Sequence, residues 1–260
     1  KLETLKESFN SSYFTSEKLN SGIEIIKLEL RKGRIDSADL YYNLLVDSFK
    51  NSFSWKDSSA LFLIESEVLL YKDSLIRSLE LISRSEKIGK THNNKDLLIR
   101  TYYNAFDVKY SLGLYDACSD ILFRTISLKE SSDDYMGLGY LYNRMGYIQL
   151  IREKIDESIQ FHYKALQVRK KIKYIPGLGA SHHNIADCFI NKGLLDSALY
   201  HAYKALEYRK IENSYKSIAE PYQSLGIIYC ELDNKDSAYC YLDKSINIWS
   251  KHKDQINNYR

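Results

Sequence analysis

The sequence predicts an all-α solenoid of stacked antiparallel helix pairs, and three observations carry that prediction. Aspartate recurs on a grid of 40 residues, at Asp36, Asp116, Asp156, Asp196 and Asp236, with Ile76 the exception. Short echoes surround those points: GRIDSA from Gly33, GLYDAC from Gly113, GLLDSA from Gly193 and DNKDSA from Asp233. Only two prolines and eleven glycines occur in 260 residues, too few for the tight turns of a β-sandwich or barrel. A fixed period of this size marks a repeat architecture.

Placing position 1 at Leu19, Ser59, Ile99, Gly139, Gly179 and Ala219 gives six repeats, 19–58, 59–98, 99–138, 139–178, 179–218 and 219–258, with no insertion between them. Columns not used to find the register agree with it. Position 20 holds Ala38, Ser78, Cys118, Ser158, Ala198 and Ala238, all small. Position 12 holds Leu30, Leu70, Tyr110, Leu150, Ile190 and Cys230, none of them charged. Position 4 holds Phe62, Tyr102, Tyr142, His182 and Tyr222, and position 8 ends as Gly146, Ala186 and Gly226. Residues 1–18 then form a capping helix or partial repeat, with Leu2, Leu5 and Phe9 covering the first pair.

Each repeat reads as two amphipathic helices. Apolar residues return at helical spacing in both halves, as in Leu141, Met145 and Ile148, then Ile155, Ile159 and Leu166. The break falls at position 15, which is Gly33, Gly113 or Gly193 in three repeats and Asp73, Glu153 or Asp233 in the others. Glycine there suits a tight helix–helix turn. The aspartate at position 18 sits in the first turn of the second helix, where free N–H groups and the helix dipole favour a carboxylate. Position 20 is small because the two helices cross closely beside their turn. One pair alone cannot bury its apolar face; stacking the pairs makes a continuous core.

Charge and composition exclude several classes. A formal net charge of +3 is too mild for a nucleic-acid surface, and Arg169-Lys170-Lys171 falls at a helix C-terminus, where cations are favoured anyway. The four cysteines, Cys118, Cys188, Cys230 and Cys240, show no zinc-ligand spacing. The most apolar stretch, Ala60 to Tyr71, is interrupted by Glu65 and Glu67, so no membrane span is expected. The chain opens at Lys1 without a leader pattern and stops at Arg260, and reads as a piece of a longer protein.

No catalytic constellation emerges. Of the six histidines, His183 stands four residues before Asp187, a spacing able to share a metal, but no further ligand accompanies them. His182 and His162 fall in core columns. Phosphate-loop, nucleophile-elbow and kinase signatures are missing from the sequence. The expectation is a non-enzyme with no cofactor and no metal.

These columns resemble the tetratricopeptide repeat family, in which a large residue at 4, Leu-Gly at 7 and 8, Tyr at 11, Ala at 20 and Ala at 27 recur. The sixth repeat matches with Tyr222, Leu225-Gly226, Tyr229 and Ala238; the first three are degenerate, with Glu29 and Lys109 at position 11. The family unit is about 34 residues, so the longer unit here implies longer helices or connectors. The resemblance implies a right-handed superhelix whose first helices line a concave groove through positions 2, 5, 9, 12 and 13. Carried onto this chain, and with the asparagines at position 6, that surface comprises Arg100, Tyr103, Asn104, Asp107, Tyr110, Tyr140, Asn143, Tyr147, His183, Asn184, Asp187, Asn191 and Gln223, with Ile190, Glu220 and Ile227 beside them. The partner it implies is a protein or an extended peptide, with no nucleic acid.

The unit length and the D-S-A turns also look like the tetratricopeptide regions of Bacteroidetes membrane-bound regulators, where an extracytoplasmic array feeds a histidine kinase or a helix-turn-helix output. That resemblance implies a ligand-sensing module of a signal-transduction protein on the periplasmic side of the membrane, the cytoplasm being the other possibility. A free-standing adaptor or scaffold is the main alternative. A peptide-pheromone regulator, its DNA-binding domain lying elsewhere, is the second.

Overall fold

The computed structural model describes residues 2–11, 15–48, 54–131, 133–212 and 215–258. Among these residues all regular structure is α-helical, in thirteen helices. After α1 (Leu2–Ser11), first helices alternate with second helices. The first helices are α2 (Thr15–Arg31), α4 (Trp55–Tyr71), α6 (Lys95–Ser111), α8 (Tyr135–Ile151), α10 (Ile175–Asn191) and α12 (Tyr215–Glu231). The second helices are α3 (Ile35–Ser48), α5 (Leu75–Thr91), α7 (Tyr115–Glu130), α9 (Ile155–Lys171), α11 (Leu195–Glu212) and α13 (Lys235–Asn258). Starts at 15, 55, 95, 135, 175 and 215, then at 35, 75, 115, 155, 195 and 235, keep the 40-residue step without drift. The first helices have 17 residues each, and α5, α7, α9 and α11 have 16 to 18, so both halves of the unit carry its extra length.

The turn between the helices of each pair has one geometry. Position 15 adopts positive φ in all six repeats: Gly33 (72°), Asp73 (58°), Gly113 (70°), Glu153 (60°), Gly193 (69°) and Asp233 (54°). Around Gly33, the N–H of Arg34 donates to the carbonyl of Glu29 at 3.0 Å and that of Gly33 to Leu30 at 2.9 Å. This is a Schellman cap, which satisfies two carbonyls that the helix end leaves open. The same pair of bonds recurs at Ser74 and Asp73, Leu114 and Gly113, Lys154 and Glu153, Leu194 and Gly193, and Asn234 and Asp233. The residue that closes one helix therefore stands immediately before the next.

Between pairs, polar side chains cap the starts of α4, α6 and α8. Ser54 and Asp57 form a reciprocal capping box, Asn94 accepts from the N–H of Leu97 at 2.8 Å, and Asp134 accepts from Gly137 at 2.8 Å. The position-18 aspartates lie in the first turns of their helices, as their dipole role requires. Asp156 also reaches across to the next pair, where Lys192 binds it at 2.6 Å.

The chain divides into two compact bodies, residues 1–121 and 122–260. In the first, Phe9 of α1 joins Leu19, Ile23, Ile26 and Leu30 of α2, Ala38 and Leu45 of α3, and Leu61, Ile64 and Val68 of α4 in one buried cluster. In the second, Ala186, Ala198, Ala202, Leu206, Leu225 and Ile228 form a cluster across α10, α11 and α12, and Leu166, Leu178 and Ile185 join α9 to α10. The position-20 column is buried in all six repeats. Its two hydroxyls and its one thiol also find partners. Ser78 donates to the carbonyl of Ser66 at 2.9 Å, and Ser158 Oγ lies 3.2 Å from Cys188 Sγ.

Position 8 packs against position 24 of the same pair. A Cβ on Gly146 would stand 2.6 Å from the His162 ring, and one on Gly226 would stand 2.6 Å from Leu242. Glycine at these points is the room that a large position-24 side chain occupies. Arg169 opens the basic run at the close of α9, yet it is buried. Its guanidinium donates to the carbonyl of Gly177 at 3.1 Å and to Ser181 Oγ at 2.7 Å, so it ties α9 to α10. Arg209, one repeat on, donates to the carbonyl of Pro176 at 3.3 Å and pairs with Glu212 at 2.9 Å.

Candidate functional site

In the first body, a cleft of about 330 Å³ opens along three successive first helices. Lys27, Leu30 and Arg31 come from α2, Glu67, Leu70 and Tyr71 from α4, and Tyr103, Asn104 and Asp107 from α6. In repeat numbering these are positions 9, 12 and 13, again 9, 12 and 13, then 5, 6 and 9. The spacing puts them on one face of each 3.6-residue helix, so the cleft follows from the repeat itself.

Its electrostatics are mixed. Burial holds the Glu67 carboxyl above its ordinary range; the charges of Lys27 and Arg100 and a hydrogen bond from Asn104 pull it back, while Asp107 adds to the rise. Lys27 and exposed Arg31 place cations on one wall, and Tyr71, 49% exposed, offers a ring whose polar tip stays wet. Such a lining can cover apolar side chains of an extended segment and satisfy its backbone amides.

Of the predicted residues in this body, Tyr103, Asn104 and Asp107 line the cleft. Arg100 is exposed nearby and acts on Glu67 through its charge. Tyr110 is half-buried, stacked on Phe106 at 5.8 Å and edge-on to Tyr115, which turns it toward the helix pair. Lys27, Arg31, Glu67, Leu70 and Tyr71 extend the predicted surface backward into repeats one and two. Their position numbers are the signal that finds them, even though the consensus residues of those repeats are degraded.

In the second body, Tyr140, Tyr147, Asn191 and Gln223 are exposed, while Asn143, His183, Asn184 and Asp187 are half-buried. Arg144 lies over the Tyr140 ring at 5.0 Å. The polar members form ties between helices. Asn184 donates to Asn143 Oδ1 at 2.6 Å, linking α10 to α8. Ser224 of α12 approaches His183 Nδ1 at 3.3 Å and donates to Asp187 Oδ1 at 3.1 Å, while His183 Nε2 lies 3.4 Å from Asp187 Oδ2. Burial raises the Asp187 carboxyl, with the His183 charge and the Ser224 hydroxyl opposing. A serine, a histidine and an aspartate thus meet, but Ser224 is buried and bonded to both, so the group fastens α12 to α10 and presents no nucleophile. Asn191 donates back to the carbonyl of Asp187 in its own helix at 2.8 Å.

Position 6 therefore has a shared structural task. Asn104 donates to the carbonyl of Leu63 and to Ser66 Oγ, both at 2.9 Å, joining α6 to α4 as Asn184 joins α10 to α8. Ser224 does the same at this position with a shorter side chain. These amide donors are engaged inside the stack. Among the described residues, no group of three or more His, Cys, Asp or Glu side chains is placed to hold a metal ion.

Helix starts in 40-residue step, Schellman turns between paired helices and a lined face of first helices set the comparison with known structures. The chain superposes on apo RapI with a TM-score of 0.73 at 15% identity, over 90% of this chain and 66% of RapI. It has the fold of tetratricopeptide-type helical-repeat proteins. A signal transduction ATPase with a tetratricopeptide repeat sensor, from Pyrococcus horikoshii, matches with a TM-score of 0.69 at 12% identity, over 94% of this chain and 44% of that one. A Rap protein complexed with Competence and Sporulation Factor matches at 0.60 and 16% identity, over 92% of this chain and 67% of that one. The chain thus spans about two thirds of the Rap proteins and under half of the ATPase. No protein-family model and no curated protein sequence matches it. No helix among the described residues is long and apolar enough to cross a membrane.

Proposed function

We propose that this chain is a protein-binding repeat module that holds an extended peptide segment along its first helices, and that it serves as the ligand-sensing part of a signal-transduction regulator. The observation that carries the binding reading is the cleft of α2, α4 and α6, in which three successive first helices each contribute three residues to one lined surface. A surface repeated in register suits a ligand that is itself periodic, such as an extended backbone with alternating side chains. The sensing role is supported by likeness of fold to a tetratricopeptide repeat sensor and to a Rap protein complexed with a factor.

The test is selection of binders from a displayed peptide library. Selected peptides should lose about tenfold or more in affinity for the Tyr71→Ala/Tyr103→Ala variant, the loss expected when an aromatic anchor is removed. They should bind Ile76→Ser, changed on an exposed side chain of α5, as they bind the parent. Peptides that ignore the cleft variant, or a library that yields no binder, would overturn the reading.

A further inference from the structure

The charges that line the cleft are sorted by helix. Lys27 and Arg31 stand on α2, Glu67 on α4 and Asp107 on α6. Arg100, two helical turns before Asp107, lies outside the lining. Lys27, Glu67 and Asp107 all occupy repeat position 9, so they form one row across neighbouring helices. The repeat itself does not require this order, since position 9 in the second body holds Tyr147, Asp187 and Ile227. A chain laid along the row meets two cations on α2 and then a carboxylate on each of α4 and α6.

The carboxylate end is electrostatically strained. Burial raises the Glu67 carboxyl most, Asp107 adds to the rise, and Lys27 and Arg100 oppose it without cancelling it. A cation brought between the two carboxylates relieves their repulsion, and an ammonium or guanidinium group has N–H donors for acceptors on both sides. At the other end Lys27 and Arg31 offer donors to a carboxylate. Between the ends lie Leu70, Tyr71 and Tyr103, whose apolar surface covers the aliphatic stem of a basic side chain. Adjacent helices pack about 8–10 Å apart, so the distance from α2 to a point midway between α4 and α6 is about 12–15 Å. An extended chain, advancing about 3.3 Å per residue, crosses it in about four residues.

We infer that the cleft selects its peptide by charge order: Lys27 and Arg31 hold an acidic residue, and Glu67 and Asp107 hold a basic residue about four positions away. The inference rests on the peptide-binding reading and adds to it the class of ligand and the residues that discriminate.

Fluorescence anisotropy with synthetic copies of library-selected peptides tests this on the 260-residue chain. The peptides used are those that weaken on the Tyr71→Ala/Tyr103→Ala variant. Each should carry an acidic and a basic residue in that spacing, and replacing its basic residue by glutamine should weaken binding to the parent about tenfold. On the Glu67→Gln/Asp107→Asn variant the same replacement should change affinity less than about twofold, because the charges it met are gone. Those substitutions conserve shape, so the circular dichroism of the variant should match the parent. At the other end, Lys27→Glu/Arg31→Glu should bind a peptide whose acidic residue is replaced by lysine more tightly than the original. Peptides that need the tyrosines yet keep their affinity without the basic residue would overturn the charge order and leave the binding reading standing. So would peptides that lose as much on the Glu67→Gln/Asp107→Asn variant as on the parent. A library without binders would overturn both.

Discussion

His182 of α10 and His201 of α11 face each other through their Nδ1 atoms at 2.9 Å, and Tyr163 of α9 closes the row with its hydroxyl 2.9 Å from His201 Nε2. One Nδ1 must donate and the other accept. Protons on both would set N–H against N–H in a site from which water is excluded.

Stability should therefore depend on pH in a definite direction. Burial pushes His182 down to about 4, helped by the His201 charge, and pushes His201 and His162 down to about 4 as well. An unfolded histidine titrates near 6.5, so between about 6.5 and 4 the unfolded chain binds more protons than the folded one. The stability these groups contribute is present above pH 6.5 and is lost as the pH falls toward 4. His162, buried beneath α8, accounts for roughly 3 kcal/mol of that loss. Urea unfolding at pH 7.5, 5.5 and 4.5 should show a steadily falling midpoint, and His162→Gln should flatten the trend. A midpoint that does not change over that range would contradict it.

The turns predict substitutions that stabilise. Glu153 and Asp233 hold left-handed backbone at position 15, where other repeats have glycine. Relief of that strain is worth about 1–2 kcal/mol, offset by about 0.4–1 kcal/mol of extra chain entropy in the unfolded state. Glu153→Gly and Asp233→Gly should each raise stability by up to about 1.5 kcal/mol, and Gly113→Val should lower it. Thermal melts check the order.

The helix crossing predicts the opposite sign for a different glycine. Alanine at position 146 would put its methyl group 2.6–2.8 Å from three atoms of the buried His162 ring. Overpacking of this kind costs about 1–3 kcal/mol, against about 1 kcal/mol gained in helix propensity. Gly146→Ala should melt below the parent. If it melts higher, the ring has room to move and the close approach is not a constraint.

The position-6 ties predict a loss of stability independent of any ligand. Asn184→Ala removes the 2.6 Å bond to Asn143 and should cost about 0.5–1.5 kcal/mol. Unfolding of the ligand-free protein measures it. An unchanged midpoint would return Asn184 to the role of a residue that waits for a partner.

The fold was legible because its cause is periodic. A left-handed turn residue, a small crossing residue and an apolar stripe each obey one local rule, and the 40-residue step repeats that rule six times, so Asp73 and Glu153 occupy the turn as surely as Gly33. The partners of polar side chains were not legible. Asn104 and Asn184 share a column with Ser224, and only geometry shows all three bonding to the preceding first helix. Arg169 sits in a basic run that looks solvated, yet the space beside Gly139 and Gly177 draws it beneath α10. The whole cleft lies in repeats whose consensus has decayed, because a lining position needs exposure and not a fixed residue type.

The most direct test of the central claim is hydrogen–deuterium exchange of the chain with and without a library-selected peptide. Protection confined to segments 27–31, 67–71 and 100–107 of α2, α4 and α6 is the predicted result. Protection concentrated on the second helices, with those segments exchanging as before, would contradict it.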